Sequence, residues 1–289
     1  MIFGDEQELP CHSAGQLLFW QKCVHEKLRF TLVNLETNLE KYGAFLYNNV
    51  CTHTDLPERM KPMADTHIKY NDHSINSAFK NHYIVPDYQR EYVWKDEQVE
   101  QLLADLLDAY NTDSQKAYFL GTIVTYDSGS QFELIDGQQR LTTFFILLCA
   151  IKKIYMDHGE QTSVIENLIY SPTMNSEGDV INLYHLQLQY EDAGNCLELI
   201  EKGQERPNYI TQSGERLFDA FKTIQDFLQG QFPRIADLKK FVVFLLNKTS
   251  FIRIETYDIS DALKIFETIN QRGKGLDPMD LLKIWFPSG

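Results

Sequence analysis

The chain has 289 residues, 43% hydrophobic and 24% charged, with a formal net charge of -14. Such a length can bury one large core or two small ones, and the composition is ordinary for a soluble globular protein. The acidic balance excludes a protein that coats nucleic acid through a general field, so any DNA contact must be local.

No signal peptide and no apolar run long enough to span a bilayer is visible, so no membrane partner is expected. The five cysteines (Cys11, Cys23, Cys51, Cys149, Cys196) are scattered and form no C-x-x-C pair, which points to a reducing cytoplasm and away from zinc. Cys51-Thr-His53 is the nearest approach to a metal pair and reads as chance.

Residues 1–73 read as a helical extension. Leu17, Val24, Leu28, Leu32, Leu35 and Leu39 form a stripe from Ser13 to Asn48 that needs a partner surface, either the rest of the chain or a second copy. Pro57 and Pro62 mark a loop, and a helix is expected between Ala64 and Lys80. Pro86 then forces an extended approach to Tyr88, Gln89, Arg90, Tyr92 and Trp94, before a helix opened by Asp96 and Glu97. The aromatics of this segment read as core anchors. Gln89 and Arg90 are the candidates for phosphate or base contact.

A strand over Phe119–Tyr126 is predicted to pair with one ending at Leu134 and Ile135, through a turn at Ser128-Gly129-Ser130. Leu141–Ile151 is so continuously apolar that it must be a buried helix. Between them stands a polar knot, Asp136-Gly-Gln-Gln-Arg140, on a strand-to-helix turn. The first N–H groups of a helix lack internal partners and carry the positive end of its dipole, so such a turn suits an anion. Gly137 allows close approach, Gln138 and Gln139 offer amides, and Arg140 offers a fork that fits phosphate. Asp136 suits three roles: holding Mg²⁺, orienting a water, or capping the helix.

Gln161–Asp179 reads as a helix end and a surface loop. Leu183–Tyr190 alternates and is predicted to be a half-buried strand with His185 on its solvent side. Helices follow at about 192–202, 214–229 and 235–246, then a strand over Thr249–Thr256 and a helix capped by Ser260 with Ala262, Ile265, Phe266 and Ile269 inward. The whole is an α+β plan. Asn270–Gly275 ends that last helix, Asp277-Pro278 starts another, and Pro287 interrupts it, as in a fragment of a longer protein. Arg272 and Lys274 read as a basic helix cap; the alternative is that Asn270 and Arg272 complete a pocket opposite Arg140.

Four motifs stand in order: Ile84-Val-Pro-Asp-Tyr-Gln-Arg-Glu-Tyr-Val-Trp94, Phe119-Leu-Gly-Thr-Ile-Val124, Ile135-Asp-Gly-Gln-Gln-Arg-Leu-Thr-Thr143 and Ile265-Phe-Glu-Thr-Ile-Asn-Gln-Arg-Gly-Lys-Gly-Leu276 with Asp280-Leu-Leu-Lys283. Together they resemble the amino-terminal domain of GmrSD-type restriction proteins, which is similar to the ParB/sulfiredoxin superfamily. The resemblance implies a small mixed β-sheet of ParB/sulfiredoxin-like type surrounded by a larger helical layer, over residues 74–289. It also implies a module that binds and hydrolyses a nucleoside triphosphate (UTP, GTP or another) and so regulates cleavage of foreign or modified DNA in phage defence.

Carried over by position, the implied catalytic residues are Asp136, Gln138, Gln139 and Arg140, with Asp136 as the metal ligand for Mg²⁺. Gln89, Arg90, Gly137 and Thr142 would bind nucleotide, joined in the alternative above by Asn270 and Arg272. DNA would be met through an HNH-type nuclease domain or partner, a segment not expected within these residues. Two other readings stay open: a non-catalytic sensor of nucleotide or DNA phosphate, and a nuclease using Glu133 and Asp136 around a metal.

Overall fold

The computed structural model describes residues 69–270, with side chains as far as Phe266. By its internal contacts the chain divides into two units, Met1–Thr66 and His67–Gly289. The helical stripe of Ser13–Asn48, the Pro57–Pro62 loop, Cys51-Thr-His53, Arg272 with its glycine-rich loop, and the last helix with Asp277, Pro278 and Pro287 lie outside the described residues.

Within the second unit the order is β1 (Lys69–Ser74), α1 (Ile75–Ala78), β2 (Tyr83–Val85), α2 (Asp96–Asp113), β3 (Tyr118–Asp127), β4 (Phe132–Asp136), α3 (Gln138–Asp157) and α4 (Ser163–Ile169). Then come β5 (Tyr170–Met174), β6 (Val180–Tyr184), β7 (Leu186–Leu188), α5 (Ala193–Glu201), α6 (Gln212–Gln231), α7 (Ile235–Lys248), β8 (Thr249–Thr256) and α8 (Ile259–Asn270). Six strands form one mixed sheet in the order β1-β8-β3-β4-β2-β7, and β5 with β6 makes a separate hairpin. The expected mixed sheet under a larger helical layer is the architecture found.

The sheet has two unequal faces because side chains alternate along each strand. Ile123, Leu134, Tyr83 and Phe251 turn to the large core, built with α3 at its centre. Every residue from Leu141 to Ile151 is buried, since α3 is covered by α4, α5 and α6 as well as by the sheet. Each such Leu, Ile or Phe contributes roughly 1.5–3 kcal/mol. On the other face Val124 and Ile135 meet Ala262, Leu263 and Phe266 of α8. Since β8 runs parallel to β3, and β3 antiparallel to β4, a helix returning from β8 over the sheet runs in the direction of β4, toward the knot.

Three expectations are corrected. Lys69–Ser74 is a strand, not part of a helix, because it finds β8 as an antiparallel partner from Lys69↔Glu255 to Ser74↔Ser250; only Ile75–Ala78 is helical, capped by Ser74. The stretch read as loop before Asp179 contains α4 and β5; Pro172 disguised the strand, and it is tolerated because β5 pairs on one side alone, with β6. The strand read over Leu183–Tyr190 is broken at His185, which joins two sheets and is 1% exposed rather than facing solvent. Its ring is satisfied internally: Nδ1 lies 3.1 Å from Leu168 O and Nε2 2.7 Å from Ser171 Oγ.

Candidate functional site

The knot sits where β4 hands over to α3. Gly137 adopts φ 88°, and a Cβ there would lie 2.5 Å from Ile123 Cγ2, so only glycine makes this turn unstrained. The first intrahelical bond is Leu141 N–H to Gly137 O at 3.0 Å, and no side chain caps the helix. The N–H groups of Gln138, Gln139 and Arg140 are therefore left over at the positive end of the dipole. The Asp136 carboxylate accepts no hydrogen bond from a described residue, which removes the capping role considered for it.

The three polar side chains of the first turn do different things. Arg140 lies against β3 and donates from Nη1 to Leu120 O at 2.5 Å and from Nη2 to Thr122 O at 2.7 Å. Those carbonyls flank a bulge, where Phe119↔Ser250 is followed by Thr122↔Ile252, so that two residues of β3 stand against one of β8. Gly121, at φ 108°, makes the bulge and leaves room for the guanidinium. Burial pulls the Arg140 pKa down from its ordinary value, and the charge of Asp136 opposes this.

Gln139 reaches the opposite way. Its Oε1 accepts from Val93 N at 2.8 Å and its Nε2 donates to Glu91 O at 2.9 Å, fastening the loop between β2 and α2 to the start of α3. Gln138 is different again, for its Oε1 is buried with no hydrogen-bond partner among the described residues. An unsatisfied buried acceptor of this kind costs about 1–3 kcal/mol unless a ligand or water meets it.

The fastened loop carries the first motif. A turn closes with Gln89 N–H to Pro86 O at 3.0 Å, Gln89 is half-buried, and Arg90 is exposed with no ion pair to any described residue. Tyr92 is the anchor: its ring is 1% exposed, its OH lies 2.8 Å from Thr143 Oγ1, and its N–H donates to Ser213 Oγ at 3.2 Å. Thr143 in turn donates to Gln139 O at 2.8 Å. Tyr88 OH donates to Glu133 at 3.3 Å, and burial together with the Glu133 charge raises the Tyr88 pKa far above its ordinary value.

The structure thus gathers Gln89, Arg90, Gly137, Gln138, Gln139 and Arg140 at one end of the sheet through direct bonds or chain adjacency. Thr142 is 2% exposed and turned into the core. Asn270 is the last residue of α8. Glu133 stands opposite Tyr126 and Asp136 opposite Val124, with Ile135 an extra residue in β4 where the register shifts, so the two carboxylates share a face of the sheet. No group of three or more His, Cys, Asp or Glu suited to a metal occurs among the described residues. Asp136 alone fits Mg²⁺ of the kind that takes one carboxylate and completes its shell with phosphates and waters.

Gly121 and Thr143, which lie inside the second and third motifs, and Ser213, which lies outside all four, are structural participants to which the sequence reading gave no role. Gly121 alone carried a signal, since a glycine inside a strand pattern marks a bulge or a close approach.

The described residues thus define a mixed α/β domain whose sheet hands over to a helix start without a side-chain cap, braced by Arg140 to β3 and by Gln139 to the loop after β2. The sequence profile of the GmrSD restriction endonuclease, N-terminal domain, matches residues 71–287, and the chain belongs to that family, whose members are components of restriction systems. A comparison with curated proteins gave no match. No described helix is long and apolar enough to cross a membrane.

Proposed function

We propose that this domain binds and hydrolyses a nucleoside triphosphate and thereby controls a DNA-cleaving nuclease domain or partner in a cytoplasmic defence system. The observation that supports it most is the first turn of α3, which has no side-chain cap and whose Gln138, Gln139 and Arg140 N–H groups meet no partner among the described residues, beside the loop that carries Arg90. Phosphate oxygens accept from those N–H groups, and Arg90 neutralises the outer charge. Gln138 Oε1 accepts from a ligand hydroxyl or a bound water. Asp136 holds the attacking water, or the Mg²⁺ that would add charge neutralisation at the phosphates.

Arg140 enters this scheme as the brace that fixes the turn against β3 rather than as the phosphate fork. Its two bonds to Leu120 O and Thr122 O are what support that assignment.

Calorimetry with ATP, GTP, CTP and UTP, followed by phosphate-release assays, tests the proposal. Binding with release in the wild type, and binding without release in Asp136→Ala, is the expected pattern. Binding without release in the wild type would favour the sensor reading, which the single carboxylate at the knot keeps in play. The nuclease reading has less support, because Glu133 is held by Tyr88 and no group of three or more His, Cys, Asp or Glu suited to a metal occurs among the described residues.

A further inference from the structure

Gln139 is chemically equipped to touch a phosphate, yet both ends of its amide are committed to backbone: Oε1 to Val93 N at 2.8 Å and Nε2 to Glu91 O at 2.9 Å. This donor-and-acceptor pair reproduces the two-bond pattern of a β-bridge between a side chain and a strand-like segment. It links the stretch Asp87–Glu91 to α3 from the outside, whereas the neighbouring tie, Tyr92 OH to Thr143 Oγ1, works from inside the core. Arg90, with no ion pair to a described residue, is placed by what holds the residues on either side of it, the Pro86–Gln89 turn and the Glu91–Val93 pair clasped by Gln139.

We propose that Gln139 is a positioning residue, a clasp that holds the Gln89-Arg90 loop against the start of α3 so that the loop and the helix N-terminus receive one ligand together. The inference rests on the nucleotide reading above for what is received, but the clasp itself exists without ligand. Ligand at the helix start is then felt at Val93, and disorder of the loop is felt as weaker binding. The side chain of Gln139 does not contact the ligand.

Hydrogen–deuterium exchange of the full chain, read by NMR at the Val93 amide and at the amides of Gln138–Arg140, tests this with Gln139→Met, which keeps length and removes both bonds. Loss of the Val93 bond should speed exchange of that amide about tenfold in the ligand-free protein. With the tightest-binding of ATP, GTP, CTP and UTP present, wild type should gain protection at both places. Gln139→Met should gain it at the helix start only, with affinity about tenfold weaker.

Gln138→Met serves as the control, expected to weaken binding while leaving Val93 exchange unchanged. Unchanged Val93 exchange in ligand-free Gln139→Met would overturn the clasp. Weaker binding with wild-type coupling between the two places would overturn it as well, by making Gln139 a ligand contact. If wild type binds none of the four nucleotides, the nucleotide reading fails, and the ligand-free Val93 measurement still decides the clasp.

Discussion

Arg140 lies across Gly121, its guanidinium bonded to the carbonyls on either side of that glycine, so near that a Cβ at Gly121 would stand 2.4 Å from Nη1. The bulge in β3 and the arginine of the knot are therefore one feature. The bulge frees two carbonyls and the fork satisfies them, tying the second motif to the third. On the other side Gln139 ties the first motif to the third. The turn between β4 and α3 is in this way fixed from both flanks.

Replacing Gly121 by Ala meets both a strained φ and the guanidinium, and should cost about 2 kcal/mol or more, a fall in Tm of roughly 4–8 °C for a domain of this size. Thermal unfolding followed by circular dichroism checks it. A Tm within a degree of wild type would show that the bulge relaxes freely.

Arg140→Met should destabilise by about 2–5 kcal/mol, because it leaves the Leu120 and Thr122 carbonyls unpaired. In the double variant with Gly121→Ala the two losses should fall short of additive by about 1 kcal/mol or more, since removing the guanidinium removes the clash. Urea unfolding of the four proteins in the cycle measures the coupling. Strict additivity would separate the two residues.

Arg90 is exposed and has no ion pair among the described residues, so Arg90→Ala should leave stability within about 0.5 kcal/mol. Its nucleotide affinity should nonetheless fall roughly tenfold. Parallel calorimetry and urea unfolding separate these effects; a loss of stability as large as the loss of affinity would make Arg90 structural.

His185 is buried against His82, with Ser171 Oγ and Leu168 O on its ring nitrogens, and burial lowers its pKa below the ordinary 6.5. His73 is lowered too, first by burial and then by the Arg253 charge. For both, the unfolded chain binds a proton that the folded chain refuses, so their contribution is full above the ordinary 6.5 and is lost as pH falls through the folded values. The urea midpoint should therefore drop between pH 7 and pH 5, and His185→Gln should flatten that drop. An unchanged slope in the variant would place the titration elsewhere.

The elements were largely legible. β-branching and alternation gave β3 and β8, and the unbroken apolar run of α3 told of a helix covered on all sides. The misses came where tertiary pairing overrode local pattern: β1 exists because β8 does, and Pro172 hid a strand that pairs on one side only. His185 was placed outside because a polar residue in an alternating run faces solvent unless a hydroxyl and a carbonyl wait for it inside, as Ser171 and Leu168 do. At the site, residue types announced donors but not their destinations. Gln139 and Arg140 are both equipped for phosphate, and both give their side chains to backbone supplied from 48 and 20 positions away. What a sequence shows of such a knot is its chemistry; which part faces the ligand depends on what else comes close.

The central claim is that a nucleotide's phosphates sit at the first turn of α3. Amide chemical shifts of Gln138, Gln139 and Arg140, followed by NMR during titration with the tightest-binding triphosphate, test it most directly. These three amides should move first and furthest, saturating with the calorimetric Kd. Saturable binding that leaves them unmoved while shifting amides at another place in the fold would contradict it.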